Sequence, residues 1–304
     1  MPVPTRYSQG VSTHKLGHPL QDYPMPDPIQ SGSNPLTNVF SYVQDYTDYG
    51  STANFTVTGT SSTWALESGV GGFAVLTPGG TTTATVMYRN APSFQFASGN
   101  KFWFVQRLIP GLFATTGSYS FGLQFGSATT DGVWFTKPAS STNINLVSSV
   151  ASTATTLVTA VSTHTAGSLT AGAVTINNQT VTVTSTANLV VGMYVYGTGI
   201  PLNTTVTGIT NSTTFTISAP ATASNTGLTI IYASAIDVAF YFNGTDLLVY
   251  NNDLLVARVA SPTIGTANTN TLTNQLLTQF VSSTPTATDL LHQDYTLIAQ
   301  EVTR

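Results

Sequence analysis

Residues Ile236–Val259 read IDVAFYFNGTDLLVYNNDLLVARV, and this run decides the fold class. Three apolar stretches are separated by two short polar ones. Asn243-Gly244 and Asn251-Asn252 mark the joints, and Asn and Gly accept the positive φ that two-residue hairpin turns require. Asp246–Tyr250, between the joints, is rich in aliphatic and aromatic residues, as a half-buried strand should be. The run therefore predicts a three-stranded meander. Such a meander needs a second sheet over one of its faces.

The flanking chain supplies strands in the same style. Upstream, NFTVTG, TWALESG, GGFAVLTPG and TATVMYR are short runs separated by Gly, Asn, Ser or Pro. KFWFVQRLI, SYSFGLQFG and DGVWFTK follow, with Phe102 and Phe104 on one face of their strand and Trp103 and Val105 on the other. Core packing is the plain explanation of these aromatics. Downstream, Leu272, Leu276, Leu277 and Phe280 have helical spacing, but the β surroundings favour a strand there. Gln293–Val302 reads as a strand that closes a sheet.

Between Lys137 and Asp237 no Asp, Glu, Lys or Arg occurs. Asn143–Val161 looks like paired strands or a long surface hairpin. Residues 173–232 then offer six short strands with turn residues between them, which predicts a small β-barrel or sandwich. Residues 168–233 are accordingly expected to be a domain inserted into a discontinuous β-sandwich made of 36–167 and 234–304. The overall class is all-β and antiparallel.

Residues 1–35 differ again. Pro2, Pro4, Pro19, Pro24, Pro26, Pro28 and Pro35 interrupt any helix or central strand, so this segment is expected to be an extended arm. Tyr7, Leu16, Leu20, Tyr23, Met25 and Ile29 are spaced as anchors along a neighbouring subunit.

Composition excludes several classes of function. Charged residues make up 7% of the chain, against roughly 25% in ordinary globular proteins. The net charge is −4 and the pI about 5.3, and the few basic residues are scattered, so no nucleic-acid partner is expected. With no cysteine there are no disulfides, thiolate metal sites or cysteine nucleophiles. MPVPTRYSQGV lacks the apolar core of a signal peptide, and no run approaches the ~20 apolar residues of a membrane span. Synthesis in a host cytoplasm without membrane insertion is the expectation.

Catalytic and metal chemistry is hard to find. Paired glycosidase carboxylates must stand roughly 5–9.5 Å apart. Glu67 and Glu301 are the only glutamates and stand alone, while Asp45/Asp48 and Asp289/Asp294 have odd spacings that split them between strand faces. His14 and His18 precede a proline in a non-helical segment, and His164 and His292 have no acidic or histidine neighbour at ligand spacing. Asp246 and Asp253 beside the Asn-rich turns are weighed for calcium, but turn roles explain them as well. No phosphate loop or nucleophile elbow is present. No enzyme activity and no cofactor are expected.

Several stretches resemble a known group. PTRYSQGVST (Pro4–Thr13) and PLQDYPMPDP (Pro19–Pro28) resemble the opening of virion structural proteins of tailed phages, where an arm precedes a concanavalin/laminin-G-like jelly roll. FQFASGNKFWFVQRL (Phe94–Leu108) looks like the central strand of that jelly roll. FNGTDLLVYNNDLLVARV (Phe242–Val259) and DYTLIAQE (Asp294–Glu301) look like its last meander and closing strand. Leu189–Ala223 is similar to small β-modules of phage and bacterial surface proteins. The resemblance implies a capsid decoration or cement protein on the virion exterior. Its partners would be the major capsid protein, bound through the arm, and further copies of itself as a homotrimer or homodimer. Laminin-G-like sandwiches also bind sugars, so the alternative is a host-attachment protein of tail or fibre. In that reading Tyr250, Asn251 and Asn252 would contact a host-surface glycan.

Overall fold

The structure is a computed structural model that describes residues 39–44, 46, 55–67, 72–78, 85–89, 94, 101–113, 117–124, 131–264, 275–282 and 289–301. The anchors proposed for the arm, Tyr7 to Ile29, lie outside the described residues. Among the described residues every regular element is a β-strand. In chain order these begin with β1 (Val39–Gln44), β2 (Phe55–Thr58), β3 (Thr63–Glu67), β4 (Phe73–Thr77) and β5 (Thr85–Arg89). Then come β6 (Phe102–Pro110), β7 (Gly117–Gln124), β8 (Gly132–Lys137), β9 (Asn143–Val150) and β10 (Thr153–Thr163). The uncharged tract continues with β11 (Ala166–Val174), β12 (Thr180–Thr182), β13 (Tyr194–Tyr196), β14 (Val206–Asn211), β15 (Thr214–Ile217) and β16 (Asn225–Ala233). The last five are β17 (Ile236–Phe242), β18 (Leu247–Asn251), β19 (Leu254–Val259), β20 (Gln275–Ser282) and β21 (Leu291–Glu301).

Fifteen of these strands form a two-sheet antiparallel sandwich. One sheet runs β19-β18-β17-β6-β21-β4-β3, with β1 alongside β21; the other runs β10-β9-β8-β7-β20-β5-β2. The Ile236–Val259 meander is the β17-β18-β19 end of the first sheet. β21, which the sequence places as a closing strand, lies inside that sheet between β6 and the β4/β1 edge. Of the residues with helical spacing, Leu276, Leu277 and Phe280 lie in the strand β20, and Leu272 lies outside the described residues.

Alternation fills the gap between the sheets with aromatic rings. Phe104 and Phe240 face it from one sheet, Phe121 and Phe135 from the other, and all four are fully buried. Their centroids lie 5.1 Å apart (Phe104–Phe240), 5.5 Å (Phe121–Phe135) and 6.3 Å (Phe104–Phe135). Each such ring contributes about 1.5–3 kcal/mol by leaving water. The first sheet is apolar on its other face too. Trp103 stacks on Tyr241 at 5.1 Å, beside Val105, Ala239, Tyr250, Leu297 and Ala299. This is why β6 reads as a continuous apolar run rather than an alternating one.

Local chemistry sets the two meander turns. In the first, Asn243 Oδ1 accepts from the amides of Thr245 (2.9 Å) and Asp246 (2.7 Å), and Gly244 has φ +98°. In the second, the residues with positive φ are Asn252 (50°) and Asp253 (63°), one place later than Asn251-Asn252. Asn251 pairs with Leu254, which leaves a two-residue loop of the kind that matches strand twist.

Residues 166–233 form a separate sheet, β13-β16-β11-β12-β15-β14, with its own core of Val181, Val195, Val206, Phe215, Ile217 and Ile230. Its two end strands meet: Val206 N donates to Met193 O (2.8 Å) and Val195 N to Thr204 O (2.9 Å). The sheet thus closes on itself as a small barrel and leaves no exposed edge there. Uncharged side chains brace its turns. Asn211 Oδ1 accepts from Thr213 N (2.9 Å), Thr204 Oγ1 donates to Pro201 O (2.6 Å) and Thr186 Oγ1 to Asn211 O (2.8 Å). The richness of the tract in Thr, Ser and Asn follows from this work on the backbone.

Candidate functional site

The barrel leaves and rejoins the sandwich through one neck. β11 and β16 enter side by side, with Ala166 opposite Ala233 and Ser234 N donating to Thr165 O at 2.9 Å. His164, at the foot of the neck, is buried beneath the rings of Phe113 and Tyr119, and its Nδ1 lies 3.1 Å from the Tyr119 hydroxyl. Burial, and then the charge of Lys137, push its pKa down to about 4.

The neck seats the barrel against the outer face of the first sheet. In β13, YVY, the period of two sends Val195 into the barrel core and Tyr194 and Tyr196 the other way. Those two tyrosines meet Phe73 and Ile109 of the sandwich. They also meet two polar clusters.

In the first cluster, the Tyr196 ring stacks on His292 with centroids 4.6 Å apart and planes 9° from parallel. His292 Nδ1 lies 3.3 Å from Glu67 Oε2. The Nδ1 proton therefore faces the carboxylate and the opposite nitrogen, Nε2, points away from it. The Tyr196 hydroxyl and His292 Nε2 are both buried without a hydrogen-bond partner. Burial, then Tyr194 and Glu67, hold the Tyr196 hydroxyl well above the ordinary tyrosine range.

In the second cluster, Arg107 Nη1 sits 3.4 Å from Asp294 Oδ2, and Arg107 Nη2 donates to the Tyr194 hydroxyl at 3.3 Å. Burial lowers the Arg107 pKa, but Tyr194, Asp294 and Asp237 outweigh it and the net shift is upward. The Tyr295 hydroxyl donates to Asp237 at 3.3 Å. A β-bulge at Asp294 makes this possible, because the register jumps between Gln293 and Tyr295. The jump turns Tyr295 to the same face as Arg107, as bulges do where a side chain must be re-aimed.

Two spaces adjoin the first cluster. One, of about 10 Å³, lies among Glu67, Phe73, Ile109, Tyr194, Tyr196, Asn203 and His292 and has room for about one water. The other is a cleft of about 200 Å³. Tyr196, Gly197, Thr198, Thr229 and Ile231 of the barrel form one wall, and Gly111, Leu290 and His292 of the sandwich form the other.

The residues singled out from sequence fall elsewhere. Tyr250 is 1% exposed within the outer-face cluster, so its ring offers no stacking face to a sugar; Asn251 and Asn252 lie at the surface. Asp246, weighed for calcium, is held instead by Arg258 Nε (3.0 Å) and Nη2 and by Ser261 N (3.3 Å). The Arg258 bonds hold its carboxyl below the usual range. Glu67 and His292, isolated in sequence, are brought together because β3 pairs with β4 and β4 with β21. Nothing in local spacing signals that contact.

No family profile matches the chain, and no curated protein matches it. Among solved structures it is similar to a protein of unknown function from Shewanella oneidensis MR-1. That match has 12% identity and TM-score 0.47, and covers 91% of this chain and 97% of that one. It is also similar to a conserved carbohydrate esterase of Shiga toxin-encoding bacteriophage phi24B, with 11% identity, TM-score 0.42, and 87% and 98% of the two chains covered. A third is the CBM2 module of the evolved Dit of Lactobacillus casei BL23 phage J-1, with 10% identity, TM-score 0.43, and 88% and 98% covered. The fold class rests on the strand order itself.

Proposed function

We propose that the protein is a non-enzymatic structural component of a tailed-phage virion. In this reading residues 1–35 hold it to the major capsid protein on the capsid exterior, copies of it associate with one another, and the barrel projects outward. The observation that supports an assembling protein is β19. It ends its sheet, with β18 as its only strand partner among the described residues. Leu254, Leu255 and Val256 are 59%, 45% and 45% exposed. The register jumps from Val249–Ala257 to Tyr250–Leu255, so Val256 is a bulged residue, and the three side chains form a short apolar run along this edge. Proteins that stay monomeric protect such edges with charge, proline or a bulge. Here the edge carries a bulge at Val256, with Asp253 before the apolar run and Arg258, paired with Asp246, after it, yet the three apolar side chains remain exposed.

A second copy of β19 fits the edge. Its backbone groups complement an identical strand running antiparallel, and no like charges meet. Such a pair is twofold symmetric, which favours a dimer over a trimer. The acidic groups at the junction also have partners: Glu67 with His292, Asp294 with Arg107 and Asp237 with Tyr295. Those pairings suit a structural role.

The test combines light scattering with co-sedimentation on purified heads. The parent protein is expected to dimerise and to travel with heads, Leu255→Lys to be monomeric, and removal of residues 1–35 to release it from heads. A parent that is monomeric and never sediments with heads overturns the reading.

A further inference from the structure

We infer that the apolar outer face of the first sheet, around Trp103 and Tyr241, is the seat of residues 19–35, the proline-rich half of the chain's own arm. This goes beyond the virion role and does not rest on it.

The first ground is the burial of a face that no described element covers. Trp103, Val105, Tyr241, Tyr250 and Leu297 turn away from the gap between the sheets, yet Trp103 is 3% exposed and Tyr241 7%. Every side chain of this cluster stands on β6, β17, β18 or β21, strands of the same sheet. Neighbours on one sheet shield each other's flanks, as Trp103 and Tyr241 do by stacking at 5.1 Å. Their outer edges would still meet water if nothing lay above them. The barrel touches this face only at its far end, at Ile109 and, through Tyr194, at Arg107. From Arg107 back along β6 to Trp103 is about 13 Å. These exposures are those of a single chain, so the cover belongs to the same chain.

The second ground is the place where the arm leaves the sheet. β1 begins at Val39, opposite Glu301, and Ser41, Ala299 and Trp103 stand level across β1, β21 and β6. Trp103 is therefore two strand spacings from β1, about 10 Å. The chain before Val39 departs beside the cluster, and about six extended residues carry it across to β18. The other undescribed segments are shorter links between strands. Tyr46, Phe94 and Ile264, which border three of them, enter the core between the sheets instead.

The third ground is chemical. A segment that lies on the face of a sheet has no ladder to join, so its backbone N–H groups are left unmet there. Proline has no N–H to lose. Residues 19–35 contain Pro19, Pro24, Pro26, Pro28 and Pro35, with Leu20, Tyr23, Met25 and Ile29 among them. Extended proline-rich chain docking on aromatic rings is a recurring mode of recognition. The virion reading gives the same arm a capsid partner, so on a head the two seats compete.

The test is photo-crosslinking of the full-length protein with p-benzoylphenylalanine in place of Leu248, which is half-buried at the rim of the cluster. The link is expected to map by mass spectrometry to residues 19–35 of the same chain. A link to any other segment, a link to a second copy, or no link overturns the inference. A second measurement is tryptophan fluorescence. Combining Leu20→Ser, Tyr23→Ser, Met25→Ser and Ile29→Ser should shift the emission to the red and raise quenching by acrylamide. Adding Trp103→Phe should abolish that response, because Trp64 packs against the inter-sheet core and Trp134 stands in the other sheet. Unchanged emission in the serine variant, or a response that survives Trp103→Phe, overturns the inference. If the Leu248 variant does not fold, fluorescence decides alone. Neither measurement uses heads, so this inference and the virion reading can fail separately.

Discussion

The sandwich and the barrel solve the same problem with different materials. The sandwich sets two open sheets against each other and fills the gap with Phe104, Phe121, Phe135 and Phe240. The barrel closes one sheet around Val181, Val195, Val206, Ile217 and Ile230, with Phe215 as its one phenylalanine. Facing sheets stand about 10 Å apart, a distance that rings span well. A six-stranded barrel has a narrow interior that β-branched side chains fill. Closure also decides the surface. A barrel without a free edge can be polar and uncharged, whereas the sandwich leaves one side of β19 without a strand partner among the described residues. How a sheet ends therefore matters as much as what it encloses.

The largest expected effect tests whether the two cores are independent. Phe240→Ala should destabilise the sandwich by about 3–5 kcal/mol, and Phe215→Ala should cost the barrel a similar amount. Separate cores predict that the double variant equals the sum of the singles within about 0.5 kcal/mol in denaturant unfolding. A larger discrepancy would mean that the junction around Phe73, Ile109 and Tyr194 couples them.

The next effect lies at the neck. His164 has a pKa of about 4 in the folded chain, against an ordinary value of 6.5. Between those values the unfolded chain takes up a proton and the folded one does not. Stability is therefore complete above pH ~6.5 and falls by about 3 kcal/mol as the pH drops to ~4. Thermal melts across that range check it, and His164→Phe, which keeps an aromatic ring, should flatten the slope. An equal slope in the variant would assign the acid sensitivity elsewhere.

A smaller effect is expected in the barrel turns. Asn211→Ala removes the acceptor of Thr213 N and should cost about 0.5–1.5 kcal/mol. The smallest concerns the open edge. Leu255→Lys should change stability by less than about 0.5 kcal/mol, as at other surface positions, while changing association. If it destabilises the monomer instead, β19 is part of the core and the contrast of open and closed sheets fails.

What could be read from sequence was what is local. Asn243-Gly244 predicts a turn because its φ preferences and the Asn243 side chain act within four residues. The second turn is offset by one because Asn251, Asn252 and Asp253 all suit such a position; cross-strand pairing of Asn251 with Leu254 makes the choice. The six strands of the barrel could be counted, but its closure depends on Met193 and Val195 meeting Thr204 and Val206. Spacing does not tell whether Tyr250 is exposed: it points away from the inter-sheet gap but enters a second apolar cluster with Trp103 and Tyr241. The Glu67–His292 contact was invisible because the two residues sit at opposite ends of the chain and meet through two successive strand pairings. The face of Tyr295 is hidden for a related reason, since a single bulge between Gln293 and Tyr295 breaks the alternation that spacing provides.

The neck has a consequence for the order in which the chain folds. The strands β10 and β17, which belong to the two sheets of the sandwich, are separated by the whole of residues 164–235. While those residues are unstructured, joining the flanking strands means closing a long loop, whose entropic penalty grows with the logarithm of its length. Once the barrel has formed, β11 and β16 hold Ala166 and Ala233 opposite each other, and the remaining connection is only a few residues long. The β11–β16 pairing itself spans the insertion, so the loop entropy is met inside the barrel, where the β12–β15, β13–β16 and β14–β15 pairings offset it. A barrel that folds first thus acts as an internal clamp, and β10 and β17 assemble as though the insertion were an ordinary loop.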